Sequence, residues 1–211
     1  MEDKNRAETI FSMLMKVYTP RCALESSTPE ELIIATILSA QCTDKKVNEV
    51  TPVLFKAYPG MKALADARSD DIEGIIRPTG FYHQKTKSIM ALARLLVERY
   101  NGKVPSGMDE LLKLPGVGRK TANIVLADGF GIVSGIAVDT HVKRLSIRLG
   151  LTNETDPDKI EQDLMKQVKR EHWTDFSHLL IQHGRAICDA KKPRCNDCML
   201  IALCPRIGID K

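Results

Sequence analysis

The chain has 211 residues, 43% of them hydrophobic and 27% charged, with a formal net charge of +4. This is ordinary composition for a soluble protein with room for one large core or two smaller ones, and it contains no low-complexity tract. The mild positive charge permits a polyanionic partner without establishing one, and the uncharged stretch from Leu32 to Thr43 is too short to cross a bilayer. The opening Met-Glu-Asp-Lys has no apolar core of a secretory signal, so the expectation is an intracellular protein with reduced thiols.

Helical periodicity recurs along the chain and no convincing strand alternation interrupts it, so the predicted fold class is all-α. Thr28-Pro29-Glu30-Glu31 is a helix start, with a Thr cap, Pro at the first position and Glu three residues after the cap. Thr43 can cap the next helix, and Ser69 opens a short one through Ile76. A longer amphipathic helix is expected from about Gln84 to Tyr100. Asp156-Pro157 starts another, and a last long helix should run from about Thr174 to Ile187. Short turns such as Pro59-Gly60 and Gly80 favour antiparallel helix packing.

The central stretch LLKLPGVGRKTANIVLADGFG, Leu111 to Gly131, predicts a helix, a Pro-Gly-Val-Gly turn and a second helix beginning near Arg119. Gly116 and Gly118 permit close backbone approach, and the N–H groups opening the second helix can bind a phosphate. Leu114 and Val117 would anchor the turn to the core. This is the layout of a helix-hairpin-helix, although a plain αα corner also favours glycine.

Lys120 lies just past the turn, where an ammonium opposes the helix dipole and the neutral, nucleophilic amine is favoured. On its own it is equally a surface or phosphate-contacting lysine. Asp139, before THVKRLSIRLGL, should cap the helix starting at Thr140, and a carboxylate fixed in this way can stabilise positive charge developing on a sugar or handle protons.

The last twenty-four residues hold Cys188, Cys195, Cys198 and Cys204 in the pattern C-x6-C-x2-C-x5-C. Ligand count favours a 4Fe–4S cluster over zinc and over disulfides, although the spacing matches neither common ferredoxin pattern. The loop Lys191-Lys192-Pro193-Arg194 inside this segment could meet phosphates or simply be solvated. Cys22 and Cys42 are expected to be buried free thiols.

Taken in order, the hairpin, Lys120, VDTH at Val138 to His141 and the cysteine tail resemble the endonuclease III family of base-excision-repair DNA glycosylases. LSAQCTD at Leu38 to Asp44 and TGFYHQK at Thr79 to Lys85 fit that family's loops, and the resemblance spans essentially the whole chain. It implies two all-α domains with an active site between them. A six-helix domain would cover residues 22–132, with the helix-hairpin-helix at about 107–130. A discontinuous domain, 1–21 plus 133–211, would carry the 4Fe–4S cluster on the loop 188–204, with the four cysteines as ligands and a structural role for the cluster.

The same resemblance implies a monomeric enzyme of the cytoplasm or nucleoid whose partner is double-stranded DNA containing damaged bases or abasic sites, with no membrane involved. Gln41 would fill the space left by a flipped base and Phe81 would act as an apolar wedge. Read without the resemblance, Gln41 is a polar helix-end residue and Phe81 a core aromatic. Lys120 would attack C1′, form a Schiff base and cut the strand by β-elimination, giving joint glycosylase and AP lyase activity on oxidised pyrimidines. Two alternatives stand beside this: a non-catalytic sensor of DNA damage or structure, which needs neither Lys120 nor Asp139, and a related glycosylase shifted toward mismatches or oxidised purines.

Overall fold

The structure, a computed structural model, describes residues 2–209, with side chains from residue 6 onward. Met1, Asp210 and Lys211, at the ends of the expected discontinuous domain, lie outside the described residues. In chain order the helices are α1 (Glu2–Met15), α2 (Pro29–Leu38), α3 (Asp44–Ala57), α4 (Gly60–Asp66), α5 (Ser69–Ile76), α6 (Tyr82–Tyr100), α7 (Met108–Leu111), α8 (Arg119–Ile124), α9 (Thr140–Arg148), α10 (Pro157–Gln167) and α11 (Trp173–Ala186). No strand occurs among the described residues, so the fold is all-α.

Side-chain caps mark the starts of α2, α3, α9 and α10. Thr28 accepts the N–H of Glu31 at 3.2 Å, while the Glu31 carboxylate takes the N–H of Ser27 at 2.7 Å. The capping box is therefore closed one residue upstream of its usual partner, the cap's own N–H. Thr43 caps α3 through the N–H of Lys46 at 3.3 Å. Asp156 caps α10 through the N–H groups of Asp158 and Lys159 at 3.0 and 3.1 Å.

Differences from expectation cluster where no side-chain cap marks the boundary. Helix α6 starts two residues earlier than expected, at Tyr82, because Phe81 takes a left-handed conformation and breaks the chain direction there. The short α4 follows Pro59 directly, where the sequence had indicated only a turn, and likewise has no side-chain cap. After α8 the chain widens into a π-helical turn, Val125–Gly129, that no periodicity announces.

The chain divides into two compact units, Cys22–Ile132 and Met1–Arg21 with Val133–Lys211. In the first, α4 and α5 pack on α6, α2 packs on α3, α6 and α8, and α7 pairs with α8. Its core is drawn from every one of these helices and includes Ile33, Leu38, Leu54, Leu64, Ile89 and Val125. Helix α2 is buried on nearly all sides from Leu32 to Leu38, which explains its uniformly apolar sequence.

In the second unit, α1 packs on α10 and α11, and α9 packs on α11 and α10 around Ile10, Leu14, Leu145, Ile160, Phe176 and Leu180. Gly184 permits the close approach of α11 to α9. A Cβ there would lie 3.0 Å from both Arg144 Nη2 and His141 Nδ1. No described helix is long and apolar enough to cross a membrane.

Candidate functional site

The unit Cys22–Ile132 carries the hairpin, Lys120, Gln41 and Phe81. In the hairpin, Leu114 and Val117 are 3% and 7% exposed, so their side chains belong to the core and only their backbone can face a ligand. Val117 N–H closes the turn on the Leu114 carbonyl at 3.2 Å. Gly116 has φ +77°, and a Cβ there would meet Ser88 at 3.4 Å and Ile37 at 3.6 Å, ordinary contact distances, so the conformation rather than the space selects glycine. Gly118 is the N-terminal flank of α8, and no side chain caps the helix. The first-turn N–H groups of a helix lack intrahelical partners, and here they follow an exposed, glycine-bearing turn. Lys120 is the second residue of α8 and half-buried.

Gln41 and Phe81 share an unusual property. Both are non-glycine residues at positive φ, +52° and +49°, a conformation that strains L-residues and persists only where the surroundings impose it. Gln41 is exposed, and Phe81 is 66% exposed, which excludes the alternative of a core aromatic. Each stands just after a rigid element: α2 ends at Leu38, and a 3₁₀ turn spans Arg77–Thr79. The side chain of Lys85 is hydrogen-bonded to carbonyls at both of these ends.

The discontinuous unit carries Asp139, the basic loop and the four tail cysteines. Asp139 is half-buried and caps α9, its Oδ1 accepting the N–H groups of His141 and Val142 at 2.8 Å each. Helix α9 then presents Arg144 and Arg148, one turn apart, to the segment that follows α11. Arg144 donates to the carbonyls of Cys188 and Gly184, both at 3.0 Å. Arg148, 8% exposed, donates to Cys188 Sγ at 3.3 Å and to the carbonyls of Asp189 and Ala190 at 2.7 and 2.9 Å.

Cys188, Cys195, Cys198 and Cys204 line one cavity together with Arg148 and His183. All four are free, half-buried thiols. Burial pushes the thiols of Cys198 and Cys204 up, and the neighbouring cysteines push the same way. Four crowded thiols with a buried guanidinium beside one of them form a donor set suited to a cationic centre, which would hold them as thiolates. Among the described residues no group of three or more His, Cys, Asp or Glu side chains could hold a metal ion. The four sulfurs line one cavity without forming a ready ligand set for a single ion.

His183 supports this wall. Its Nδ1 pairs with the Tyr18 hydroxyl at 3.1 Å and its Nε2 with Cys198 Sγ at 3.3 Å, while burial pushes the imidazole down to about 4 and keeps it neutral.

Lys191 and Lys192 are exposed, and their backbone is turned by Asp189, whose Oδ1 accepts both N–H groups at 2.8 and 3.0 Å. Arg194 is also exposed, with its guanidinium held by the Ala186 carbonyl at the end of α11. Cys22 and Cys42 are half-buried rather than fully buried, a correction to the expectation from sequence. Burial, with Asp128 close by, pushes the Cys22 thiol up to about 11. Sequence reading missed Lys85, Arg144, Arg148 and His183. The only hint for the arginines was their four-residue spacing in KRLSIR, which ordinary surface helices share.

Residues 34–170 match the model of the HhH-GPD superfamily of base excision DNA repair proteins. The chain is 54% identical over 203 residues to endonuclease III of Synechocystis sp. (strain ATCC 27184 / PCC 6803 / Kazusa), covering 96% of this chain and 93% of that one. A solved non-covalent complex of endonuclease III with DNA superposes with a TM-score of 0.93 at 41% identity, covering 98% of this chain and 97% of that one. A trapped covalent endonuclease III–DNA intermediate, also 41% identical with the same coverage, gives 0.92.

Proposed function

This chain belongs to the HhH-GPD superfamily and, within it, to the endonuclease III family, and from that premise we propose that it is a bifunctional DNA glycosylase and AP lyase that removes oxidised pyrimidines from duplex DNA. One observation carries the reading: a lysine stands in the first turn of the helix after the hairpin, in a chain 41% identical to a protein solved as a trapped covalent intermediate with DNA. A covalent intermediate requires a nucleophile, and a lysine amine attacking a sugar carbon supplies one.

The chemistry then follows from this chain's own residues. Duplex stacking hides the glycosidic bond, so the damaged nucleotide must leave the helix first. Gln41 and Phe81, both exposed and both held at positive φ, occupy the vacated space and offset lost stacking. The backbone around Gly116 and Gly118 holds a phosphate without reading sequence, and Lys191, Lys192 and Arg194 add charge along the DNA backbone.

The neutral amine of Lys120 attacks C1′. The C1′–N bond breaks, and the base departs with that electron pair and a proton. The sugar ring then opens: the nitrogen lone pair forms C1′=N as the C1′–O4′ bond breaks. O4′ keeps that bonding pair and takes a proton from solvent, and the nitrogen retains one proton as a protonated imine. The imine acidifies C2′–H, and loss of that proton expels the 3′ phosphate by β-elimination. Asp139, its carboxylate fixed by two cap hydrogen bonds, stabilises positive charge on the sugar as the base leaves.

Cys188, Cys195, Cys198 and Cys204 would hold a 4Fe–4S cluster, which supplies a rigid cross-link for the loop that presents the basic residues. An enzyme of this kind works where DNA is, in the cytoplasm and on the nucleoid, as a monomer.

Borohydride trapping on a duplex carrying thymine glycol tests the assignment. The expected result is a covalent adduct on the damaged strand that disappears in Lys120→Ala while DNA binding persists. An adduct that survives in Lys120→Ala refutes the nucleophile. Binding without any adduct points instead to a sensor.

A further inference from the structure

Lys85 is a lysine in an unusual place. It lies in the first turn of α6, where its charge opposes the helix dipole, and it is only 5% exposed. Lysines are almost never buried unless something compensates them. Here the compensation is two backbone carbonyls: Nζ donates to Leu38 and to Thr79, both at 2.8 Å. Burial pushes the Lys85 pKa down, and neighbouring Cys42 acts in the opposite direction without cancelling it.

The two carbonyls are not arbitrary. Leu38 is the last residue of α2, whose terminal carbonyls lack intrahelical donors and attract a cation. Thr79 ends the 3₁₀ turn Arg77–Thr79. Three residues beyond Leu38 stands Gln41, and two residues beyond Thr79 stands Phe81. These are two of the non-glycine residues held at positive φ, and both are exposed. One ammonium therefore ties the bases of both strained tips, across 47 and 6 residues of chain.

We propose that Lys85 is a positioning residue for base extrusion: its ammonium clamps the loop carrying Gln41 to the loop carrying Phe81, so that both side chains meet the duplex as a pair at fixed separation. The inference rests on the reading of Gln41 and Phe81 as the residues that enter the DNA. Preorganisation is the physical gain. Without the clamp, two loops in strained conformations relax independently, and the ordering cost falls on the step that unstacks the lesion. Chemistry at a site that has already lost its base needs less of this, since there is no base to unstack.

The test compares two rates on the same folded protein: single-turnover excision of thymine glycol and β-elimination at a preformed abasic site. A 2-aminopurine beside the lesion reports unstacking by its fluorescence. Lys85→Met is expected to slow excision and the fluorescence rise on the order of tenfold to a hundredfold, as misplaced groups do. Abasic-site cleavage should change by less than about threefold, since it skips the extrusion step. Where Lys85→Met does not fold, Lys85→Arg, which keeps charge and donors but alters reach, carries the test through the same ratio.

Equal loss of both rates, or loss of neither, overturns the proposal, because a merely structural lysine would move the two together. Phe81→Ala and Gln41→Ala run in parallel. If both leave excision and fluorescence unchanged, it is the assignment of the entering residues that has failed. If they slow excision while the Lys85 variants do not, the clamp alone is refuted.

Discussion

Asp139 caps α9, and its proposed catalytic role can be separated from that cap by a pair of substitutions. Its Oδ1 holds the N–H groups of His141 and Val142 at 2.8 Å, and its charge sits at the N-terminus of α9. Asp139→Ala removes both contributions: a lost cap costs about 1 kcal/mol, within a range of roughly 0.5–2. Asp139→Asn keeps an acceptor at the same place and loses only the charge–dipole part, about 0.3–1 kcal/mol. Neither loss depopulates a protein whose stability is at least ~5 kcal/mol, so the folded fraction stays near one in both variants. Any large fall in rate must then come from chemistry. Losing a preorganised charge at a developing cation should slow base release by about 10²–10³-fold in Asp139→Asn as well as in Asp139→Ala. Urea midpoints measure the first effect, and single-turnover excision at saturating enzyme measures the second. The expected pattern is Ala less stable than Asn, with both slow. Asp139→Asn excising at the wild-type rate would refute the catalytic role and leave the cap alone.

Three further outcomes follow from the same geometry. Cys198→Ser should lose bound iron and the brown absorbance of a cluster and make the loop 188–204 sensitive to protease, because this thiol lines the cavity and is braced by His183; full iron loading at wild-type levels contradicts the ligand assignment. Gly116→Ala forces an L-residue to φ +77°, a strain of about 1–2 kcal/mol. It should weaken binding to damaged and undamaged duplex by the same factor, and gel-shift titrations showing a change confined to damaged DNA would refute the phosphate role. Asp163 is held below the usual carboxylate range, first by the Thr152 hydroxyl at 2.7 Å and then by Lys166. A depressed carboxylate stabilises the fold above its unfolded value and stops doing so as pH falls through the folded one. The destabilisation caused by Thr152→Val, read from urea midpoints, should therefore be largest near neutrality and shrink in acid; a penalty independent of pH refutes the linkage.

Much of the molecule was legible in local chemistry. Caps at Thr28, Thr43 and Asp156 announced helix starts because a side-chain oxygen two or three residues from an orphan N–H is a short-range event written in consecutive residues. The hairpin glycines and the clustered cysteines are equally local signals, and together with Lys120 they placed the chain in its family. The exposure of Phe81 was legible only through the family resemblance, since an aromatic beside a glycine turn otherwise reads as core as easily as surface, and its left-handed backbone was not legible at all.

Other features depended wholly on the tertiary fold. Lys85 is buried because carbonyls at the ends of two separate elements converge on it, and Arg148 because three carbonyls and a thiol from a loop some 40 residues away do so. His183 meets Cys198 and Tyr18 for the same reason, 15 and 165 residues distant. A lysine or arginine in an amphipathic helix has the same appearance in sequence whether solvent or a ring of carbonyls receives its charge. Which of the two occurs is decided only when the helices pack, because desolvation and hydrogen-bond satisfaction depend on the atoms around a charge and not on its neighbours along the chain.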